Sequence, residues 1–268
     1  MILGLLAASS LAAAPVPARP NASLLSDASQ AIDAGRLEEA KLLIGRAVSA
    51  GASGVPVDRM VAKLAFASHK YAEALAGYQR LTASSEKQPG DCVNGAIAAL
   101  EIGKPAEAKP LVDCATASPN ASWRAWNARG VLADFNQDWS GADEAYSRAH
   151  QLAPNEARII NNEGWSKLLR GDWAGAIPFF EQAASIGGAS DRIANNLELA
   201  KAALAADLPK REAGESARDW AARLNDAGVA ASLLGEKQRA IAAFTQALDA
   251  NPSWYDRASN NLKAVSPN

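Results

Sequence analysis

The sequence predicts an all-α solenoid of stacked antiparallel helix hairpins, because three kinds of residue recur with the same period of 34 residues. The first is a small residue, found at Ala40, Ala74, Ala108, Ala142 and Ala176. The second is an apolar residue four positions later, found at Ile44, Tyr78, Val112, Tyr146 and Phe180. The third is another small residue twelve positions earlier, found at Ala28, Ala62, Ala96, Gly130 and Gly164. A fixed period of this length is typical of proteins in which each unit packs only on its neighbours.

Each unit divides into two helical stretches. In the fourth unit, one helical stripe comprises Trp126, Gly130 and Ala133. After a break at residues 135–138, a second stripe comprises Trp139, Ala142, Tyr146 and Ala149. Small residues let two antiparallel helices approach closely, while the aromatic residues fill the space between neighbouring hairpins. Most of the aromatic side chains are therefore expected to belong to the core.

The units follow one another in a definite order. Five in-phase repeats are predicted for residues 21–190, namely 21–54, 55–88, 89–122, 123–156 and 157–190. The period then slips, since Asp207-Leu208-Pro209 interrupts a helical pattern, and residues 191–220 are predicted to form a shortened, irregular repeat. Residues 221–254 regain the pattern with Gly228 and Phe244, and residues 255–268 are expected to form a capping helix and tail.

The composition argues against several function classes. The net charge is −2 and the pI is near 5.8, so the chain lacks the basic character of a nucleic-acid-binding protein. The two histidines, His69 and His150, are not spaced for metal ligation with cysteines or carboxylates. Catalytic and phosphate-binding motifs are absent from the sequence. We therefore expect a protein that is not an enzyme and has no cofactor or metal.

The amino terminus differs from the rest of the chain. Residues 1–14 are apolar and uncharged, and a proline-rich linker completes residues 1–20. An apolar run followed by Ala12-Ala13-Ala14 is typical of a secretory signal, although the basic residues that usually precede such a run are missing. We expect a soluble periplasmic protein. The alternative is a disordered apolar tail on a cytoplasmic protein.

The chain has two cysteines, Cys92 and Cys114. They fall near the start of one helix and near the end of the next, so a hairpin folded at Gly103 places them at similar heights. A disulfide is therefore possible in an oxidising compartment. Equal height does not ensure that the side chains face each other, and we favour two buried, unpaired thiols.

The period and the Trp…Gly…Ala…Phe…Pro pattern resemble the tetratricopeptide (TPR) repeat, over nearly all of residues 22–265. This resemblance implies a TPR-like right-handed superhelical solenoid whose first helices line a concave groove. A protein or an extended peptide segment is the partner that such a groove implies.

A polar pattern recurs on the first helices of successive repeats. Arg-x-x-Asn-Asn occurs at residues 158–162, 192–196 and 257–261. A carboxamide offers a donor and an acceptor that match a peptide backbone, and arginine suits acidic groups. The predicted partner-binding residues are Asn94, Arg158, Asn161, Asn162, Trp165, Arg192, Asn195, Asn196, Leu199 and Asp226. Two alternatives remain: the asparagines bond to neighbouring repeats, and an adjacent helix covers Trp165.

The carboxy-terminal part supplies a narrower resemblance. Residues 208–216, residues 222–231 and the run from Trp254 to Leu262, together with the preceding repeats, resemble the TadD group of tight-adherence (Tad) proteins. That group helps to assemble Flp pili in bacteria, which implies a scaffold for assembly of a Flp/Tad pilus or a related secretion machinery. The alternatives are a general exported TPR adaptor for envelope or cell-wall enzymes, and a cytoplasmic TPR adaptor.

Overall fold

A computed structural model describes residues 21–186, 191–205, 208–251 and 256–266. These residues contain α-helices and no β-strand. The helices are α1 (Asn21–Asp33), α2 (Leu37–Ser49), α3 (Val55–Ala67), α4 (Tyr71–Ala83), α5 (Pro89–Glu101), α6 (Pro105–Thr116), α7 (Trp123–Phe135), α8 (Trp139–Leu152), α9 (Ala157–Leu169), α10 (Trp173–Ser185), α11 (Asp191–Ala205), α12 (Ala217–Leu233), α13 (Lys237–Ala250) and α14 (Asp256–Val265). The predicted leader, residues 1–20, lies outside the described residues. No described helix is long and apolar enough to cross a bilayer.

The turn inside each hairpin requires one left-handed residue, which is why its sequence is constrained. Positive φ angles occur at intervals of 34 residues, at Gly35, His69, Gly103, Gln137 and Gly171. Glycine adopts this conformation without strain, whereas His69 and Gln137 do so at φ values of 56° and 58°. The second helix then starts at once, and Asp138 and Asp172 cap two of these helices by accepting bonds from backbone N–H groups.

The periodic glycines lie where the two helices of a hairpin cross. Gly130, Gly164 and Gly228 are all buried. A β-carbon built on Gly164 would lie 2.9 Å from a ring carbon of Phe180, and one on Gly228 would lie 2.6 Å from Phe244. The aromatic ring of the second helix therefore occupies the space that a side chain on the first helix would need.

The described residues divide into two compact units, one ending at Gly77 and the other beginning at Tyr78, so the boundary lies inside α4. In the first unit, α1 and α2 enclose a core that includes Leu24, Ala28, Ile32, Ala40 and Ile44. Lys63 of α3 donates to Ser29 Oγ at 2.7 Å and pairs with Asp33 of α1.

In the second unit, regular hairpins give way to an irregular segment after α11. Residues 208–216 contain no helix. Leu208 is buried in the core, and Trp220 Nε1 donates to the carbonyl of Pro209 at 3.3 Å. Arg211 donates to Gln137 Oε1 at 2.7 Å, and its guanidinium lies over the rings of Trp139 and Trp220. The irregular segment is thus fixed to the α7–α8 turn by a charge-assisted hydrogen bond and by cation–π contacts.

The last hairpin packs on the preceding repeats through both of its helices. The ring of Trp220 in α12 stacks on that of Trp173 in α10, with centroids 6.3 Å apart. Helix α13 contacts both α9 and α11, while α14 contacts α12 and α13. These contacts build a continuous core through the carboxy-terminal half of the second unit.

Candidate functional site

The recurring asparagines form a chain of hydrogen bonds across three successive first helices. Asn196 of α11 donates to Asn161 Oδ1 of α9 at 2.9 Å. Asn161 Nδ2 in turn donates to Asn162 Oδ1 at 3.3 Å, and Asn162 Nδ2 donates to Asn127 Oδ1 of α7 at 3.1 Å. We call these four residues the carboxamide ladder. Because each carboxamide supplies both a donor and an acceptor, the ladder ties repeats together at equivalent positions.

The same arrangement recurs near the carboxyl end. Asn261 of α14 donates to Asn225 Oδ1 of α12 at 2.9 Å, and Asn225 Nδ2 lies 3.4 Å from Asp226 Oδ1. Asn225 is buried, whereas Asp226 is exposed. Asn195 occupies the position of Asn161 one repeat later and is exposed.

These hydrogen bonds favour a structural role over partner contact for three of the predicted residues. Asn161, Asn162 and Asn196 all bond between repeats, which is the role that the structural alternative assigned to them. Asn195 and Arg192 are exposed on α11. Contact with a partner therefore stays a prediction, and it suits Asn195 and Arg192 better than the ladder residues.

Asn94 of α5 and the arginines at the amino-terminal turns of α7 and α9 form a second polar group. Arg124 Nη2 donates to Asn94 Oδ1 at 2.9 Å, and Asn94 Nδ2 donates to Tyr78 Oη at 3.2 Å. Arg158 is exposed, lies 4.8 Å from the centre of the Trp123 ring and pairs with Glu156. Arg124 was not among the predicted residues, although its position 34 residues before Arg158 identifies it as the same element of the repeat.

The two arginines of this group differ in their electrostatic environments. Burial lowers the pKa of Arg124 below its ordinary value, and the nearby charge of Arg158 lowers it further. The hydrogen bond from Arg158 holds the pKa of Glu156 below its usual range. Arg124 is therefore a half-buried cation close to Arg158, and the charge of Arg158 is paired with Glu156.

The predicted apolar contacts are partly covered. Trp165 of α9 and Leu199 of α11 are half-buried, and both pack against the core cluster to which α13 contributes Ala242, Ala243, Ala247 and Ala250. This packing favours the alternative in which adjacent structure covers Trp165.

A buried carboxylate links the fourth and fifth repeats. Asp134 accepts hydrogen bonds from Tyr146 Oη at 2.8 Å and from the hydroxyl of Ser166. Arg170 donates to Ser166 Oγ and pairs with Asp143. Burial raises the pKa of Asp134 to about 6, although the two hydroxyl donors oppose the shift. The only sequence signal for this site is an aspartate at a position that neighbouring repeats fill with Leu100 and Leu168.

Cys92 and Cys114 are joined by a disulfide, with α-carbons 5.9 Å apart. Our preference for unpaired thiols was therefore wrong. The side chains face each other because α5 and α6 pack closely along one face, where Cys92 is buried with Val93 and Ala115. Spacing along the sequence gives the height of a residue on a helix but not the direction of its side chain.

The histidines do not meet a metal-binding group. His69 Nδ1 lies 2.8 Å from Tyr71 Oη, and His150 Nδ1 lies 3.2 Å from Glu163 Oε2. Burial raises the pKa of Glu163. Within the described ranges, no three of the potential metal ligands His, Cys, Asp and Glu cluster together.

Comparison with known proteins agrees with the fold. No protein-family profile matches the chain. Tetratricopeptide repeat protein 36 of Bos taurus is 33% identical over 103 residues, which are 37% of this chain and 54% of that protein. The chain thus spans about half the length of this curated relative.

Two solved structures cover most of the chain. A tetratricopeptide repeat protein from Parabacteroides merdae gives a TM-score of 0.55 at 16% identity, covering 93% of this chain and 86% of that one. PilW, described as a widely conserved type IV pilus biogenesis factor, gives a TM-score of 0.53 at 15% identity, covering 90% of this chain and 97% of that one. The predicted all-α solenoid of TPR-type hairpins is confirmed.

Proposed function

We propose that this protein is a non-enzymatic interaction scaffold for assembly of a Flp/Tad pilus or a related secretion machinery. The observation that carries the proposal is the polar stripe along successive first helices, where α7, α9 and α11 place equivalent side chains side by side. A stack of this kind offers one long surface to an extended protein segment. Arg158, Arg192 and Asn195 are the exposed members of the stripe, and they would contact the partner.

Two considerations support the link to pili. The carboxy-terminal third resembles the TadD group, as described above. PilW, a type IV pilus biogenesis factor, shares the fold along 97% of its length. At 15% identity, the likeness to PilW is a likeness of fold.

The disulfide supports action outside the cytoplasm. Disulfides persist in oxidising compartments such as the bacterial periplasm and are rare in reducing ones. The bond between Cys92 and Cys114 therefore agrees with the signal-like residues 1–14 and with a periplasmic scaffold.

The test is site-specific photo-crosslinking in cells that make the full-length protein. A photoreactive amino acid replaces Asn195 on the stripe, and in a matched control it replaces Glu144, which is exposed on the second helix α8. We expect crosslinks to pilus-assembly proteins from position 195 and none from position 144, together with loss of Flp pili when the gene is deleted.

Other outcomes separate the possibilities. Crosslinks from position 195 to envelope or cell-wall enzymes would replace the pilus assignment with the general exported adaptor. Partners captured only from position 144 would refute the proposed surface.

A further inference from the structure

Arg124 donates to a neutral carboxamide and forms no ion pair with a carboxylate of the described residues. Its Nη2 donates to Asn94 Oδ1 at 2.9 Å, and Asn94 donates to Tyr78 Oη. Among the described residues, no Asp or Glu forms an ion pair with Arg124. A guanidinium carries five N–H donors, so the bond to Asn94 satisfies only part of its capacity. Its side chain is nevertheless half-buried at the start of α7.

A second cation lies close to the first. Arg158 is the equivalent residue of the next repeat; its charge acts unfavourably on Arg124, and the charge of Glu156 acts favourably on it. The nearby carboxylate, Glu156, is engaged by Arg158 through Nε–Oε1 and Nη2–Oε2 contacts of 2.7 and 3.2 Å. Two positive charges and one negative charge leave this surface positive, although the whole chain has a net charge of −2. Local charge here is thus opposite in sign to that of the molecule.

Local geometry gives this surface the form of a receptor for an anionic group. Arg158 lies over Trp123, so its guanidinium is pre-oriented by stacking as well as by Glu156. Arg124 and Arg158 lie in the first turns of α7 and α9, where the helix dipoles add positive potential. Asn94 fixes the Arg124 guanidinium, which reduces the rotational freedom lost when a ligand binds.

We propose that the surface formed by Arg124, Arg158 and Asn94 binds a glutamate or aspartate side chain of an acidic segment in the partner protein. This inference rests on the proposed scaffold function and specifies the chemistry of its partner. The carboxylate takes a charge-assisted hydrogen bond from Arg124 and is attracted by Arg158. Arg192 is exposed at the equivalent position of the sixth repeat and favours further acidic residues along the same segment.

The experiment uses the full chain and two fluorescent probes with blocked ends, a hexaglutamate and a hexaglutamine peptide. Fluorescence anisotropy measures binding at low ionic strength. We expect the hexaglutamate to bind at least tenfold more tightly than the hexaglutamine. Arg124→Gln should weaken hexaglutamate binding at least tenfold, while Arg124→Lys should retain part of it. The matched control is Arg148→Gln, which should leave binding unchanged, since Arg148 is an exposed arginine on the second helix α8 that donates to Gln151.

Three results would overturn the proposal. Equal affinity for the two peptides would remove the selectivity for carboxylates. An equal loss in Arg148→Gln would show that general positive charge, and not this surface, attracts the probe. An oligothymidine of the same charge could also compete with hexaglutamate. If it bound with the same affinity as hexaglutamate, the surface would be an unspecific polyanion surface. Circular dichroism of each variant verifies that it is folded.

Failure here is distinguishable from failure of the scaffold function. If crosslinks from position 195 persist while Arg124→Gln binds hexaglutamate normally, the scaffold function is retained and the proposed acidic segment of the partner is rejected. If hexaglutamate binds through Arg124 but position 195 captures no assembly protein, the anion-binding surface is retained and the role in pilus assembly is rejected.

Discussion

Removing one carboxamide from the ladder tests whether the recurring asparagines hold the repeats together. Asn161 is only 6% exposed, accepts a hydrogen bond from Asn196 and donates one to Asn162. Each bond contributes about 1 kcal/mol net, so Asn161→Ala removes about 2 kcal/mol of stabilisation. Alanine is the better helix former by roughly 0.5 kcal/mol, which offsets part of this loss.

Asn195→Ala is the matched control. Asn195 occupies the equivalent position one repeat later, within a first helix, but it is exposed. The gain in helix propensity is the same for both substitutions, so the difference between the variants reports the ladder alone. We expect Asn195→Ala to be neutral or slightly stabilising, and Asn161→Ala to be less stable than this control by about 2 kcal/mol.

The assay is urea unfolding followed by circular dichroism and by tryptophan fluorescence. Two probes are needed because stacked repeats can unfold in parts. A double-mutant cycle with Asn196→Ala then isolates the bond between Asn161 and Asn196, for which we expect a coupling of about 1 kcal/mol. Equal stability of Asn161→Ala and Asn195→Ala, or additive effects in the cycle, would refute the structural role of the ladder.

Three further perturbations address the packing, a buried charge and the disulfide. Gly164→Ala should lower the free energy of unfolding by about 1–3 kcal/mol, because its β-carbon would lie 2.9 Å from Phe180. A β-carbon at Gly45 would have no atom within 4 Å, so Gly45→Ala should raise the free energy of unfolding by about 0.5–1 kcal/mol. Thermal melting of both variants checks these expectations. Burial raises the pKa of Asp134 from 3.8 to about 6, so its stabilisation of about 3 kcal/mol is complete below about pH 4 and is lost as the pH rises through 6. Urea unfolding at several pH values should show a smaller loss of stability over this range in Asp134→Asn than in the wild type. Replacing Cys92 and Cys114 by alanine should cost about 3 kcal/mol, and a reductant should lower the unfolding midpoint of the wild type but not that of the variant.

The class of fold is predictable from the sequence because its determinants are local and repeated. Close helix crossing needs a small residue, and the hairpin turn needs a left-handed one. Both requirements recur in every repeat. A departure at a single position, such as Gln137 where other repeats have glycine, therefore does not hide the period. The irregular segment 208–216 is different, since its position depends on Arg211 contacting Gln137, which is 74 residues away.

Side-chain direction limits what the sequence shows about the site. The period places Cys92, Cys114 and Asp134 on known helices, yet neither the disulfide nor the hydrogen bonds of Asp134 follow from that placement. Each depends on rotation of a helix about its axis and on the side chains of another element. Trp165 is a similar case, because it packs against a core that includes residues of α13, far along the chain.

Recurrence alone does not separate a structural asparagine from one that binds a partner, because stacking and ligand contact both repeat with the fold. Contact between neighbouring first helices separates them. Asn161 accepts from Asn196 because α9 and α11 are in contact, whereas among the described residues α11 is not in contact with α12, which carries the equivalent residue Asp226. Asn195 is therefore left exposed where the ladder is interrupted. A carboxamide at such an interruption keeps the capacity to pair with a peptide backbone, which is why Asn195, rather than the more prominent Asn161 and Asn162, is the position at which partner capture should be sought.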